Sequence, residues 1–278
     1  MTTPRVVITR AEDDAASWQR WFAQHAITTY HVPFLRMQTL APDSSWLDWW
    51  DRVGAGDAVF FVSAQAVRSA VHALGQARWA RLLQQWQAGE GPRCWAPGPA
   101  TAAALHAVGA PAQVVDAPLT EAEQLDSEHL WPVVQHQVQP GMRLMLARGR
   151  GESSHQAQGE GRDWLANRCA QAGAHVTAVA VYQRGLALWS PAQHQAWQQA
   201  CADGHAIWLV SSALALHGVP RLTNSPAWWS RARLLATHPR VAEAAVAMAW
   251  GQVKTCSGQR DAVQQAVMAW DDLPTIKP

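Results

Sequence analysis

The sequence predicts an α/β protein of two lobes, each a parallel sheet flanked by helices, joined by a two-stranded bridge. Three observations point there. Short apolar runs alternate with helical patterns along the chain, as expected of parallel strands with helical crossovers. The pattern is written twice: "AVFFVSAQAV" from Ala58 matches "AIWLVSSALAL" from Ala206, each run stopping on Ser and turning helical. The last element of the second copy stands at the N-terminus, where "RVVITRAED" from Arg5 matches "RLMLARGRG" from Arg143.

The start, "MTTPRVVITR", enters a strand directly and carries no apolar region of a signal peptide. The next stretch, "DDAASWQRWFAQHA", is predicted helical. Trp18, Trp21, Phe22 and His25 recur at three- and four-residue steps and form one stripe toward a sheet. Asp13 and Asp14 fall in its first turn, where carboxylates complement the helix dipole. "ITTYHVPFLRMQTL" then reads as extended, with several β-branched residues. After the Ala58 strand, "RCWAPGPATAAALHAVGAPAQVV" from Arg93 reads as strand, tight turn, alanine-rich helix, Gly and strand. The Arg143 strand leads into "GRGESSHQAQGEG", Gly149 to Gly161, predicted to be a flexible loop. The helix "GRDWLANRCAQAG" and a second extended stretch, "HVTAVAVYQRGLAL", follow. The second copy then runs from Ala206 through "RLLATHPRVAEAAVAMAWGQVKT" from Arg233.

This order makes one domain discontinuous, residues 1–30 plus 186–278, with residues 40–174 inserted into it. Residues 31–39 and 175–185 are the crossings. They are expected to lie side by side, with a cleft between the lobes, limiting twist while permitting hinge closure. The first match places Ser63 opposite Ser211, and the last places Arg148 opposite Arg10. Aligning the crossings end to end sets Tyr182 opposite Phe34 and Arg184 opposite Arg36.

Composition narrows the function. With 278 residues, 49% hydrophobic and only 15% charged, the chain can bury two ordinary cores. A net charge of +1 gives no global field toward nucleic acid or a membrane surface. No stretch approaches the roughly 20 apolar residues of a membrane span. The four cysteines form no C-x-x-C pair and the histidines show no H-x-x-x-H spacing, so thiols are expected rather than disulfides or a metal site. A cytoplasmic monomer without nucleic-acid or membrane partners is expected. The 17 Trp are spread through both lobes and read as packing.

In parallel α/β sheets, ligands bind beyond the carboxyl ends of the strands, where the next helix offers free N–H groups and its positive dipole end. Ser63 with Ala64, and Ser211 with Ser212, stand at such junctions. "APGPAT" repeats the design with Gly98 and Thr101. At any single junction, a hydroxyl that only caps the helix is the commoner arrangement. Convergence of several junctions on one cleft favours an anion site. Arg10, Arg148 and Arg162 are suited to bidentate carboxylate contacts, against the alternative of surface salt bridges. "GRGESS" starts like a dinucleotide fingerprint, but Ser154 replaces the third Gly. No P-loop, G-x-S-x-G elbow or zinc spacing is present.

Tyr182 departs from the repeat. The matching position calls for a ring, as Phe34 supplies, but not for a hydroxyl. A phenol on the bridge could donate a proton or hydrogen bond into the cleft; the alternative is a ring packed as Phe34 would be.

These motifs resemble the uroporphyrinogen-III synthase family over nearly the whole chain. They are "VVITR", "FFVSAQAV", "PGPATAAAL", Arg148-Gly149, "GRDWLA", "AVYQR" with Tyr182, "WLVSSALAL" and "HPRVAEAA". Each motif is short, and specificity lies in their number and order. The resemblance implies a bilobal fold with two crossing strands, and a lyase that needs no metal or organic cofactor. It implies hydroxymethylbilane as substrate, closed into a ring with inversion of the last pyrrole and loss of water. Tyr182 is the expected catalytic residue. The expected substrate-binding residues are Arg10, Ser63, Ala64, Gly98, Thr101, Arg148, Gly149, Ser211 and Ser212. Val62 and Val210 stand where the family usually has Thr, His238 stands in a turn that usually carries Gly and Thr, and the Gly149–Gly161 loop exceeds the usual connection. The other reading is a non-catalytic two-lobed small-molecule binding or sensor module; a nucleotide enzyme is disfavoured by the missing phosphate loop.

Overall fold

The computed structural model describes residues 4–118, 127–154, 156–161, 163–223 and 227–276. The chain forms two compact units, Met1–Arg36 with Gly185–Pro278, and Met37–Arg184. In order, the first unit begins with β1 (Arg5–Ile8), α1 (Glu12–Gln24), β2 (Thr28–His31) and the start of β3 (Leu35–Thr39). The second unit contains α2 (Ser44–Arg52), β4 (Ala58–Phe61), α3 (Ala64–Gln87), β5 (Arg93–Trp95), α4 (Pro99–Ala107) and β6 (Val115–Asp116). It continues through α5 (Ser127–Val134), β7 (Arg143–Gly151), α6 (Trp164–Gln171) and β8 (His175–Leu186), whose end returns to the first unit. There follow α7 (Pro191–Asp203), β9 (Ile207–Val210), α8 (Ala213–Leu222), β10 (Arg233–Ala236), α9 (Pro239–Ala247), β11 (Gln252–Thr255) and α10 (Arg260–Met268).

The first unit's sheet has the order β11-β10-β9-β1-β2, and its pairings are parallel. A strand covered on both faces must be apolar on both, which is why "RVVI" and "IWLV" show no alternation. Val6 and Ile8 face the Trp18 and Phe22 side of α1, while Val7 faces the core of Trp208, Leu216 and Val241. Phe34 is fully buried there, stacked on Trp208 at 5.9 Å.

The second unit's sheet has the order β3-β8-β7-β4-β5-β6, so the two crossing strands are hydrogen-bonded neighbours. The pairings from β8 through β6 are parallel. At the base of this sheet Asp57 is buried, and its carboxylate accepts from Gly54 N and from the Arg143 backbone and guanidinium, the shortest contact being 2.6 Å. The α3 segment is broken at Gly75, whose φ of +74° is open to glycine at little cost. Ala66, Val67 and Ala70 before the break and Trp79, Leu82 and Trp86 after it pack into the same core.

Sheet register corrects the alignment of the two copies. Arg93 pairs with Ala58, but its counterpart Arg233 pairs with Ile207. Likewise Leu144 pairs with Ala58, and its counterpart Val6 pairs with Ile207. Ala58 therefore corresponds to Ile207, and Ser63 to Ser212 rather than Ser211. The apolar run alone could not fix this, because every residue of both strands is buried.

A second correction concerns the loop after Arg143. β7 continues through Gly151, paired with β8 as far as Arg184, so Gly149 and Gly151 belong to a strand. Beyond it, Ser154, Gln158 and Glu160 bond back to that strand.

A candidate hydroxyl site at the strand ends

In the second unit, Ser63 and Gly98 stand just beyond the carboxyl ends of β4 and β5, and Tyr182 and Gly149 lie in the C-terminal halves of the adjacent strands β8 and β7. Ser63 is the N-cap of α3, accepting from Ala66 N at 3.2 Å. A serine serves here because its oxygen satisfies an N–H that the first helical turn leaves unpaired. Its Oγ also lies 3.4 Å from the Tyr182 hydroxyl. Two hydroxyls thus meet at the positive end of a helix, where an incipient anion or a hydrogen-bond acceptor is stabilised.

A β-bulge aims the phenol. Along β7, Arg148 faces Ala180 but Gly149 faces Tyr182, so Val181 is the extra residue. Strict alternation would send Val181 and Tyr182 to opposite faces; across the bulge both join the core that holds Val179 and Phe61. Counting Val181 as the insertion brings Tyr182 opposite Phe34. Tyr182 is 6% exposed. Its ring lies over Gly149, where an added Cβ would sit 2.4 Å from Cζ. The glycine was expected as a ligand contact; its structural reason is room for the tyrosine.

The remaining expected residues divide by environment. Ala64 is half-buried in the first turn of α3. Gly98 caps α4 in extended backbone, φ −178°, with Pro99 following. Thr101 is buried, as is its counterpart Val241 on α9. Arg148 is also buried, donating to Gln158 O at 2.7 Å and pairing with Asp163 at 2.6 Å. The Arg148 guanidinium is thus engaged within the chain. Arg162 lies outside the described residues.

In the first unit, Ser212 caps α8 by accepting from Ala215 N at 3.3 Å, the same bond Ser63 makes. Ser211 takes the place held by Val62, so this unit has two hydroxyls at its strand end where the other has one. His238 caps α9 through Nδ1, accepting from Arg240 N at 3.1 Å. Arg10, just past β1, pairs with Asp14 at 2.6 Å and lies 4.9 Å from the Trp18 ring centre. Glu160, absent from the expected set, binds the Gly149 carbonyl at 2.8 Å through its own N–H. Nothing in the local sequence marks a loop glutamate for that role.

Among the described residues no group of three or more His, Cys, Asp or Glu side chains is placed to hold a metal ion. No helix among them is long and apolar enough to cross a membrane.

Fold and site together define a two-unit parallel α/β protein with hydroxyl-capped helices at its strand ends. The family model described as uroporphyrinogen-III synthase HemD (HEM4) matches residues 16–260, and the chain belongs to that family. Among solved structures, the chain is similar to uroporphyrinogen-III synthetase from Helicobacter pylori 26695, at 11% identity and a TM-score of 0.56, covering 96% of this chain and 100% of that one. It is also similar to a mutant uroporphyrinogen III synthase from Thermus thermophilus, at 16% identity and a TM-score of 0.50, covering 97% and 100%. At these identities the structures speak for the fold. No curated protein matches the chain.

Proposed function

We propose that this chain is a lyase that closes hydroxymethylbilane to uroporphyrinogen III. The observation that carries the reading is the family match across residues 16–260. Tyr182 donates its proton to the departing hydroxyl, which leaves as water. The resulting cation is attacked by the substituted carbon of the last ring to give a spiro intermediate. That ring's original bond then breaks, leaving a second cation, which the ring's unsubstituted carbon attacks with loss of its proton, closing the macrocycle with the ring inverted. The Ser63 hydroxyl, 3.4 Å from the phenol, accepts from it or donates to it and holds the proton in line. Substrate carboxylates are bound at the helix ends by Ser63, Ala64, Gly98, Ser211 and Ser212 and by Arg10, each helix end contributing roughly 0.3–1 kcal/mol. Arg148, Gly149 and Thr101 support these groups from within the core.

Spontaneous closure gives the uninverted isomer, so the protein must orient as well as accelerate. Each tenfold preference requires about 1.4 kcal/mol between competing transition states. The test is to supply freshly made hydroxymethylbilane, oxidise the products and separate the uroporphyrin isomers. Mainly isomer III supports the proposal. Isomer I alone, at the uncatalysed rate, overturns it in favour of a binding module. The working form is taken to be a cytoplasmic monomer.

A further inference from the structure

The segment 152–161 makes a parallel-ladder contact with β7 using a side chain. Ala147 is the last β7 residue to receive a bond from the β4 side, from Val62 N at 3.2 Å. Two residues on, Gly149 presents its carbonyl to that same edge, by the two-residue period of a strand. There Glu160 donates its N–H to Gly149 O at 2.8 Å, and its carboxylate accepts from Gly151 N at 3.0 Å. In a parallel pair, one residue bonds to the carbonyl of one neighbour and the N–H two residues further along. Glu160 reproduces that pattern with Oε2 standing in for its own carbonyl. Arg184 on β8 pairs with the same carboxylate at 3.6 Å.

Ala157, Gln158 and Gly159 are fastened to the same two strands. Ala157 O accepts from Ala180 N at 2.8 Å, beside the bulge. Gln158 O accepts from Arg148 at 2.7 Å. Gly159 has a φ of +76°, and a Cβ there would lie 2.8 Å from Arg148 Cγ and 3.0 Å from Gly149 O. The segment is thus held on both sides of Gly149, the residue against which the Tyr182 ring rests.

We infer that the Glu160 side chain is a positioning group for Tyr182: its hold on the Gly151 N–H keeps the main-chain bond from Glu160 N to Gly149 O in place, so that the phenol stays beside Ser63. The inference rests on the catalytic reading of Tyr182 only for its consequence in turnover. Its structural content is tested separately, because the chain has just two tyrosines, Tyr30 and Tyr182. Fluorotyrosine incorporated into the full chain gives two fluorine NMR lines, and Tyr182→Phe assigns them. In Glu160→Ala the Tyr182 line is expected to move while the Tyr30 line stays in place, with turnover to isomer III falling about tenfold or more. Glu160→Gln keeps an acceptor for the Gly151 N–H and is expected to retain the wild-type line and most of the turnover. An unmoved Tyr182 line in Glu160→Ala overturns the inference whatever the activity. A moved line with unchanged isomer III formation supports the positioning and overturns the catalytic role of Tyr182 instead.

Discussion

The Tyr182 hydroxyl stands 3.4 Å from Ser63 Oγ, although 119 residues separate them. Ser63 reaches this place as a helix cap, and Tyr182 through a bulge in β8. Neither feature alone indicates chemistry. A capping oxygen already engaged by Ala66 N still has a proton to donate, and the phenol is the group beside it. Tyr182→Phe keeps the ring that the core requires, as Phe34 does in the first unit. Turnover to isomer III is expected to fall by about 10²-fold or more, with the urea midpoint little changed. Initial rates with fresh substrate check this, and near-normal turnover would exclude an important role.

Gly149→Ala places a methyl group 2.4 Å from Tyr182 Cζ. The expected cost is about 1–3 kcal/mol, since the buried ring has to shift. In a Tyr182→Ala background the same substitution should cost much less. Denaturation of the two single variants and the double variant measures that coupling. Strictly additive effects would show that the two residues do not press on each other.

The register of β9 assigns the cap of α8 to Ser212. Ser212→Ala is expected to lower stability by about 1 kcal/mol. Ser211→Ala should stay within about 0.5 kcal/mol. The reverse order in urea denaturation would restore the original pairing of Ser63 with Ser211.

Burial pushes the thiols of Cys169 and Cys256 up from 9.0 to about 11. The folded state therefore keeps protons that the unfolded chain loses first. Their contribution to stability is intact below pH 9.0 and is lost as pH rises toward about 11. Urea midpoints on either side of pH 9.0 should show the decline, and Cys169→Ala should make it shallower. An identical decline in that variant would remove Cys169 from the account.

Much of this was legible in the residues. Strands such as "RVVI" and "AVFF" declare themselves because burial on both faces demands continuous apolar runs. The permuted order of the copies follows from motifs at Arg5 and Arg143. The one-residue slip was not legible: Ser211 and Ser212 are adjacent, and only pairing with β1 and β10 decides which one caps. The loop from Gly149 to Gly161 looked flexible because glycine and polar residues carry no local signal for a bond such as that from Glu160 to Gly149. The site divides the same way. Ser63 and Tyr182 were found as residue types at a strand end and a crossing, while the bulge that turns one toward the other depends on tertiary pairing.

The placement of β1 has a consequence for the order of events on the ribosome. It is an interior strand, flanked by β2 and β9, and Thr9 donates its hydroxyl proton to Leu209 O, 200 residues away. The inserted unit can complete its sheet while synthesis continues. β1, by contrast, emerges before the inserted unit and waits for β9 with one hydrogen-bonding edge open. Until then that edge is a site for pairing with neighbouring nascent chains.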